Sequence, residues 1–132
     1  MIVRERLIVG KSTFIASESV SQPLGTFFED DGEAGYFYAI RLPQHTILDA
    51  VHIYNVSSVI DRDRESEVEI LWSNDGLKSA LLINHYAHAV FDFSAKRGYC
   101  RTDFPNYPSR EDDLWHKDTH RWDESVMANF EP

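Results

Sequence analysis

The stretch from Glu67 to Phe104 constrains the fold more than any other part of the chain. Val68, Ile70 and Trp72 alternate with Glu67, Glu69 and Leu71, and a period of two puts alternate side chains on opposite faces of a strand. Asn74-Asp75-Gly76 follows, residues that tolerate positive φ and so close hairpins. Lys78 to Ile83 returns, Asn84-His85-Tyr86 turns, and Ala89 to Phe93 runs back with Phe91 and Phe93 on one face. Lys96-Arg97-Gly98 makes the next turn and Tyr99 to Phe104 the last run. Four strands at a spacing of about ten residues read as an antiparallel meander.

The chain before Glu67 is β-type as well. Residues 2–9 and 12–17 are apolar and β-branched, with Gly10-Lys11 as a turn between them. Glu29, Asp30, Asp31, Gly32 and Glu33 form an acidic loop, and Tyr36 to Ile40 is apolar on both faces, as in a strand covered on both sides. Pro43 ends that strand. Ile47 to Val56 reads as another, with Leu48, Ala50, His52 and Tyr54 on one face and Val51 and Ile53 on the other. The tail differs. Ser109-Arg110-Glu111-Asp112 resembles an N-cap with an acidic first turn, and a helix from there places Leu114, Trp115, Trp122, Val126 and Phe130 on one side. That stripe packs against the sheet or, since tryptophan anchors many interfaces, presents a partner-binding surface. The expected architecture is mainly β, or α+β if the helix is counted. An antiparallel meander forms a sandwich or strongly curved sheet, with one C-terminal helix packed on it. A single domain spans 1–132, with a β-rich body at 1–104 and the helix at 109–130.

Charge narrows the function classes. Among 132 residues, 13 are basic and 22 acidic, a formal charge of −9. An acidic surface repels phosphate backbones, so nucleic acid is not an expected partner and a basic protein is. Arg4, Glu5 and Arg6 interrupt the apolar run that a signal peptide would need, and the apolar stretches fall far short of the ~20 residues that cross a bilayer. A cytoplasmic location with no membrane association is expected. A lone cysteine, Cys100, excludes an intramolecular disulfide. An exposed edge strand of the meander offers pairing across a two-fold axis, so a homodimer is a further expectation.

Few residues group into chemistry. His116 and His120 stand i, i+4, and with Asp112 or Asp123 they are weak candidates for zinc; the zinc-protease helix signature is absent because Lys117 stands where it needs Glu. Solvated flank residues are the simpler reading, and no metal or other cofactor is expected. Cys100 as a nucleophile needs a base such as His88 and a carboxylate such as Asp92 or Asp103, whereas most lone strand cysteines are small buried hydrophobes. No catalytic residue is assigned. His85 and His88 sit near a hairpin and read as turn residues. The acidic run lacks the alternating ligands and distal Glu of a calcium-binding hand loop. Asp61-Arg62-Asp63-Arg64-Glu65 alternates in sign, as an exposed connection does.

The run Leu71-Trp72-Ser73-Asn74-Asp75-Gly76-Leu77-Lys78, with Ala80 to Asn84 and His88 to Phe93, resembles a small family of uncharacterised bacterial proteins. Gly98 to Thr102, Phe104-Pro105, the acidic run and Gly35 to Tyr38 extend the likeness over roughly residues 25–105. The resemblance implies a bacterial protein built as one domain and carries no activity, catalytic residue or cofactor.

Two functional classes remain. In the first, the chain is a small acidic cytoplasmic binding module, an immunity-type inhibitor of a basic bacterial toxin. Its contacts would come from Glu29, Asp30, Asp31 and Glu33 of the loop and Glu111, Asp112, Asp113, Trp115 and Trp122 of the tail. In the second, it is a small-ligand-binding or enzymatic β-domain with a pocket lined by Tyr36, Tyr38, His52, Tyr54 and Trp72. Aromatic residues on strands more often build core than pocket.

Overall fold

The structure, a computed structural model, describes residues 2–102 and 120–130. Among these residues, nine strands form two antiparallel sheets. β1 (Ile2–Leu7), β6 (Ser66–Trp72), β7 (Lys78–Ile83), β8 (Tyr86–Asp92) and β9 (Arg97–Cys100) make a five-stranded sheet in the order β1-β6-β7-β8-β9. β2 (Thr13–Glu18), β3 (Leu24–Asp30), β4 (Ala34–Arg41) and β5 (Thr46–Asn55) make the second, in chain order. The meander expected after Glu67 is present strand for strand, though its last strand begins at Arg97 instead of Tyr99. β1 and β2, neighbours in sequence, belong to different sheets, so Gly10-Lys11 carries the chain across the sandwich. β1 faces β2 at one side of the stack and β5 faces β9 at the other. The two sheets stay separate and do not close into a barrel.

Alternation explains the core. Val68, Ile70 and Trp72 of β6, Leu81 of β7, and Ala89, Phe91 and Phe93 at β8 meet Ile15, Phe28, Phe37, Ala39, Val51 and Ile53 of the other sheet in one cluster. Phe37 and Phe91 stack across the interface at 5.1 Å between ring centroids. Buried side-chain hydrogen bonds also cross it, among them Trp72 Nε1 donating to Ser17 Oγ at 2.8 Å and Thr26 Oγ1 lying 2.9 Å from Ser79 Oγ. Buried polar groups need such partners, and these fix how the sheets slide against each other.

Turn chemistry sets the registers. Between β6 and β7, Gly76 takes φ +72° and the Asp75 carboxylate accepts from the Leu77 amide and the Ser73 hydroxyl. Between β7 and β8, Asn84 and His85 both hold positive φ, 52° and 67°, the pattern of a two-residue type I′ hairpin. Register shifts at Gly35/Tyr36 and Ala39/Ile40 interrupt the β4–β5 ladder. They break the simple alternation expected of β5. Leu48 joins the core with Val51 and Ile53, and Tyr54 packs against that core instead of following His52 to the outer face.

The expected continuous helix over 109–130 does not form. Residues 103–119, including the expected start at Ser109, lie outside the described residues. Within the described part, Arg121 makes a parallel bridge to Cys100, and the Cys100 amide donates to the His120 carbonyl at 2.7 Å. A backbone engaged with a strand edge cannot be an α-helical interior. Among the described residues of the tail, Glu124–Phe130 is helical, as a 3₁₀ segment. Of the expected apolar stripe, Trp122, Val126 and Phe130 do pack on the sheet, while Leu114 and Trp115 lie outside the described residues. Trp122, Val126, Met127 and Phe130 cover Ala80, Val90, Leu71, Leu82 and Tyr99 on the outer face of the five-stranded sheet. Arg101 clamps this segment: its guanidinium lies 4.1 Å from the Trp122 ring, 4.4 Å from the Tyr86 ring and 2.9 Å from Glu124.

The β5–β9 seam has no room to spare. A Cβ on Gly98 would stand 2.7 Å from Asp49 Oδ2, 2.9 Å from the Phe91 ring and 3.1 Å from His120. Gly98→Ala therefore forces the seam apart and should cost about 1–3 kcal/mol. Urea denaturation should show a lower midpoint with an unchanged slope.

Candidate functional site

The outer face of the four-stranded sheet carries the residues that the interior does not claim. Phe14 of β2, Phe27 of β3 and Tyr38 and Tyr36 of β4 point away from the core, and His52 of β5 completes the row. Ring centroids are 4.8 Å apart for Phe14–Phe27, 4.4 Å for Phe27–Tyr38, 6.1 Å for Tyr38–Tyr36 and 4.9 Å for Tyr36–His52. Cross-strand pairing produces the row, because Phe27 faces Tyr38 and Tyr36 faces His52 in register. Phe14 is 62% exposed, a large apolar ring held in solvent.

Glu29 sits on this face, paired with Tyr36 on one side and Phe14 on the other. Asp31 and Glu33 are exposed at the adjoining β3–β4 turn. With Tyr36, Asn55 and Arg62 they line an open cleft of 510 Å³. Burial first, then the Glu29 charge, the neighbouring Tyr36 and the Asp31 charge, push the Tyr38 hydroxyl up to about 12. Amide donation from Glu33 and Ala34 holds the Asp31 carboxyl below its usual range, so it stays ionised.

The acidic loop is not uniform. Glu29, Asp31 and Glu33 reach solvent to differing degrees, but Asp30 is fully buried. Its carboxylate accepts from the Gly10 amide at 2.8 Å, the Gly32 amide at 2.8 Å and the Tyr54 hydroxyl at 2.6 Å. Asp30 thus cannot present charge to a partner and leaves the set of binding residues expected from the sequence. Glu111, Asp112, Asp113, Trp115 and His116 lie outside the described residues. Trp122 is engaged within the chain by Arg101 and by Glu124, which accepts from its indole at 2.9 Å.

The five-residue aromatic pocket does not assemble either. Tyr36, Tyr38 and His52 share the outer row, whereas Trp72 is buried between the sheets, stacked on Phe93 at 5.7 Å. Tyr54 leans on Phe28 from the interior side, its ring packed over Gly35, where a Cβ would stand 2.6 Å from it. Burial and the bond to Asp30 push the Tyr54 hydroxyl up, away from ionisation.

The nucleophile arrangement fails on alternation. Cys100 faces the core opposite Ala89, so its neighbour in the ladder, His88, points to the other face of the same sheet. The thiol lies 3.0 Å from Thr102 Oγ1 and 3.7 Å from the His52 carbonyl, and burial pushes it up, away from thiolate. Asp92 is 3.9 Å from Lys78 and caps the Ala95 amide; Asp103 lies outside the described residues. His120, half of the weak zinc pair, holds Asp49 instead, with Nε2 3.0 Å from Oδ2.

Removing the Asp30 carboxylate strands two amides and a hydroxyl, so Asp30→Ala should lower stability by about 3 kcal/mol in chemical denaturation. Burial, with Arg101 adding to it, disfavours protonation of His88 in the folded state. The unfolded chain then takes up the proton first. The contribution of His88 is intact above about pH 6.5 and is lost as pH falls from there. A stability profile from pH 7.5 to 5.5 should fall more steeply for the wild type than for His88→Gln.

No solved structure matches the chain. An uncharacterized protein of Haemophilus influenzae is 38% identical over 108 residues, covering 80% of this chain and 67% of the relative. The profile of DUF2251, an uncharacterized protein conserved in bacteria, matches residues 7–131. That span runs past the strand-and-turn segments around residues 25–105 into the tail. The chain belongs to the DUF2251 family of uncharacterised bacterial proteins.

Proposed function

We propose that the chain is a protein-binding module that docks a basic protein through the outer face of its four-stranded sheet. One observation carries this reading: Glu29, Asp31 and Glu33 border the same face as the row from Phe14 to His52. Aromatic rings supply rigid contact area, and ionised carboxylates around them steer a basic surface into place and reject an acidic one. The cleft beside Tyr36, walled by Asp31 and Glu33, is of a size to admit a lysine or arginine side chain. The net charge of −9 favours fast encounter with such a partner.

An inhibitor that neutralises a basic toxin inside the bacterial cytoplasm uses this chemistry, and in this proposal the chain is such an inhibitor. No helix among the described residues is long and apolar enough to cross a membrane. The tail residues Glu111, Asp112, Asp113 and Trp115 extend the binding surface in this proposal only by their sequence.

The triple variant Glu29→Lys, Asp31→Asn, Glu33→Lys tests the surface, because asparagine at position 31 keeps a side-chain oxygen for the Glu33 and Ala34 amides and the Asp30 hub is untouched. Tagged wild type should capture a stoichiometric basic protein from native-host lysate and release it at high salt. The folded triple variant should not, and Phe14→Ala should weaken capture. A partner held equally well by the triple variant sinks this reading.

A further inference from the structure

A second cluster lies on the other sheet, away from the aromatic row. Glu67 and Glu69 of β6 project from the outer face, opposite Val68 and Ile70, which face the core. His85, in the β7–β8 hairpin, folds back over them. Its Nδ1 is 3.0 Å from Glu69 Oε1 and its Nε2 3.4 Å from Glu67 Oε1. The three side chains each offer a ligand atom within 4.8 Å of one another.

Glu69 makes this more than a group of surface acids. It is 5% exposed, and its two oxygens are treated differently. Oε2 accepts from Arg4 Nη2 at 2.9 Å and from Arg4 Nε at 3.2 Å. Oε1 is buried, lacks any hydrogen-bond partner and is aimed into the cluster. A buried carboxylate oxygen left in that state is costly unless something electropositive meets it. His85 stands close but makes no hydrogen bond to it.

We propose that Glu67, Glu69 and His85 form a binding site for a divalent cation of the zinc class. One imidazole and two carboxylates are a borderline donor set, suited to Zn²⁺ or Co²⁺ and poorly suited to Mg²⁺ or Ca²⁺, which take oxygen alone. Neighbouring ligands on a tetrahedral zinc stand roughly 3.3 Å apart. The 3.0 Å between His85 Nδ1 and Glu69 Oε1 is close to that spacing. Arg4 is the positioning residue: it holds Oε2 and turns Oε1 towards the cation. His85 is largely exposed, which leaves the remaining coordination to solvent or to a group from a partner.

Chelator-treated full-length protein, titrated with Zn²⁺ by calorimetry and melted with and without it, tests the site. Saturable binding of one equivalent and a higher melting temperature are expected, with Mg²⁺ and Ca²⁺ giving neither. His85→Ala and Glu67→Gln, both at accessible positions, should each weaken binding by about tenfold or more. His45→Ala, at an exposed turn in the other sheet, should leave it unchanged. Co²⁺ should give visible absorption bands that His85→Ala abolishes. Failure of Zn²⁺ to saturate, or wild-type affinity in His85→Ala, overturns the proposal and leaves an ion-pair cluster.

Discussion

The carboxylate of Asp30 joins three parts of the chain that the sheets alone would not hold. Gly10 belongs to the crossing between the sheets, Gly32 to the β3–β4 turn, and Tyr54 to β5 near the end of the β4–β5 ladder. A fully buried charge is tolerable only with its acceptor sites filled, and here two amides and a phenol fill them. The geometry of the acidic turn follows. With Asp30 drawn inward, Asp31 is held outward by its own bonds to Glu33 and Ala34. The exposed charge of the loop is therefore placed by the one acid that is not exposed.

The two outer faces of the sandwich are used differently. Apolar residues of the C-terminal segment cover the five-stranded sheet, and Arg101 ties that segment down between two rings. The four-stranded sheet keeps its aromatic row half-buried, with Phe14 largely in water. Exposure of so large a ring beside ionised carboxylates is a poor use of surface for stability alone. It is the arrangement on which the proposed docking surface rests.

Period-two alternation is the signal that strands leave in a sequence, and wherever it ran undisturbed the sequence was legible. The meander from Ser66 to Cys100 and the inward set Val68, Ile70 and Trp72 are the cases in point. Bulges erase that signal locally, which is why Leu48 and Tyr54 took sides that a strict alternation of β5 would not give them. The tail shows a different limit. A 3.6-residue stripe picked out Trp122, Val126 and Phe130 as covered, but the backbone pairing of Arg121 with Cys100 depends on a contact remote in sequence. Composition could say that the loop at 29–33 was acidic; it could not say which acid was buried. The role of Glu69 was equally hidden, since in sequence it is one polar member of an alternating strand.

Glu69 belongs with Asp30 and Asp49 as a carboxylate taken out of water in a chain already strongly acidic. Asp30 is met by three donors, and Asp49 by the His120 ring and the Ala50 amide. Those two acids serve as joints, one between crossing segments and one between β5 and the tail. Glu69 is hydrogen-bonded on one oxygen only, the other facing the His85 ring without a hydrogen bond. Its β6 position does not need an acid for the core, because Val68 and Ile70 already fill the inner face. A hairpin that needs positive φ at two residues would be served by glycine at lower conformational cost than by His85. An acid buried without full compensation, facing a histidine in a strained position, is the combination expected where local stability has been given up for a ligand.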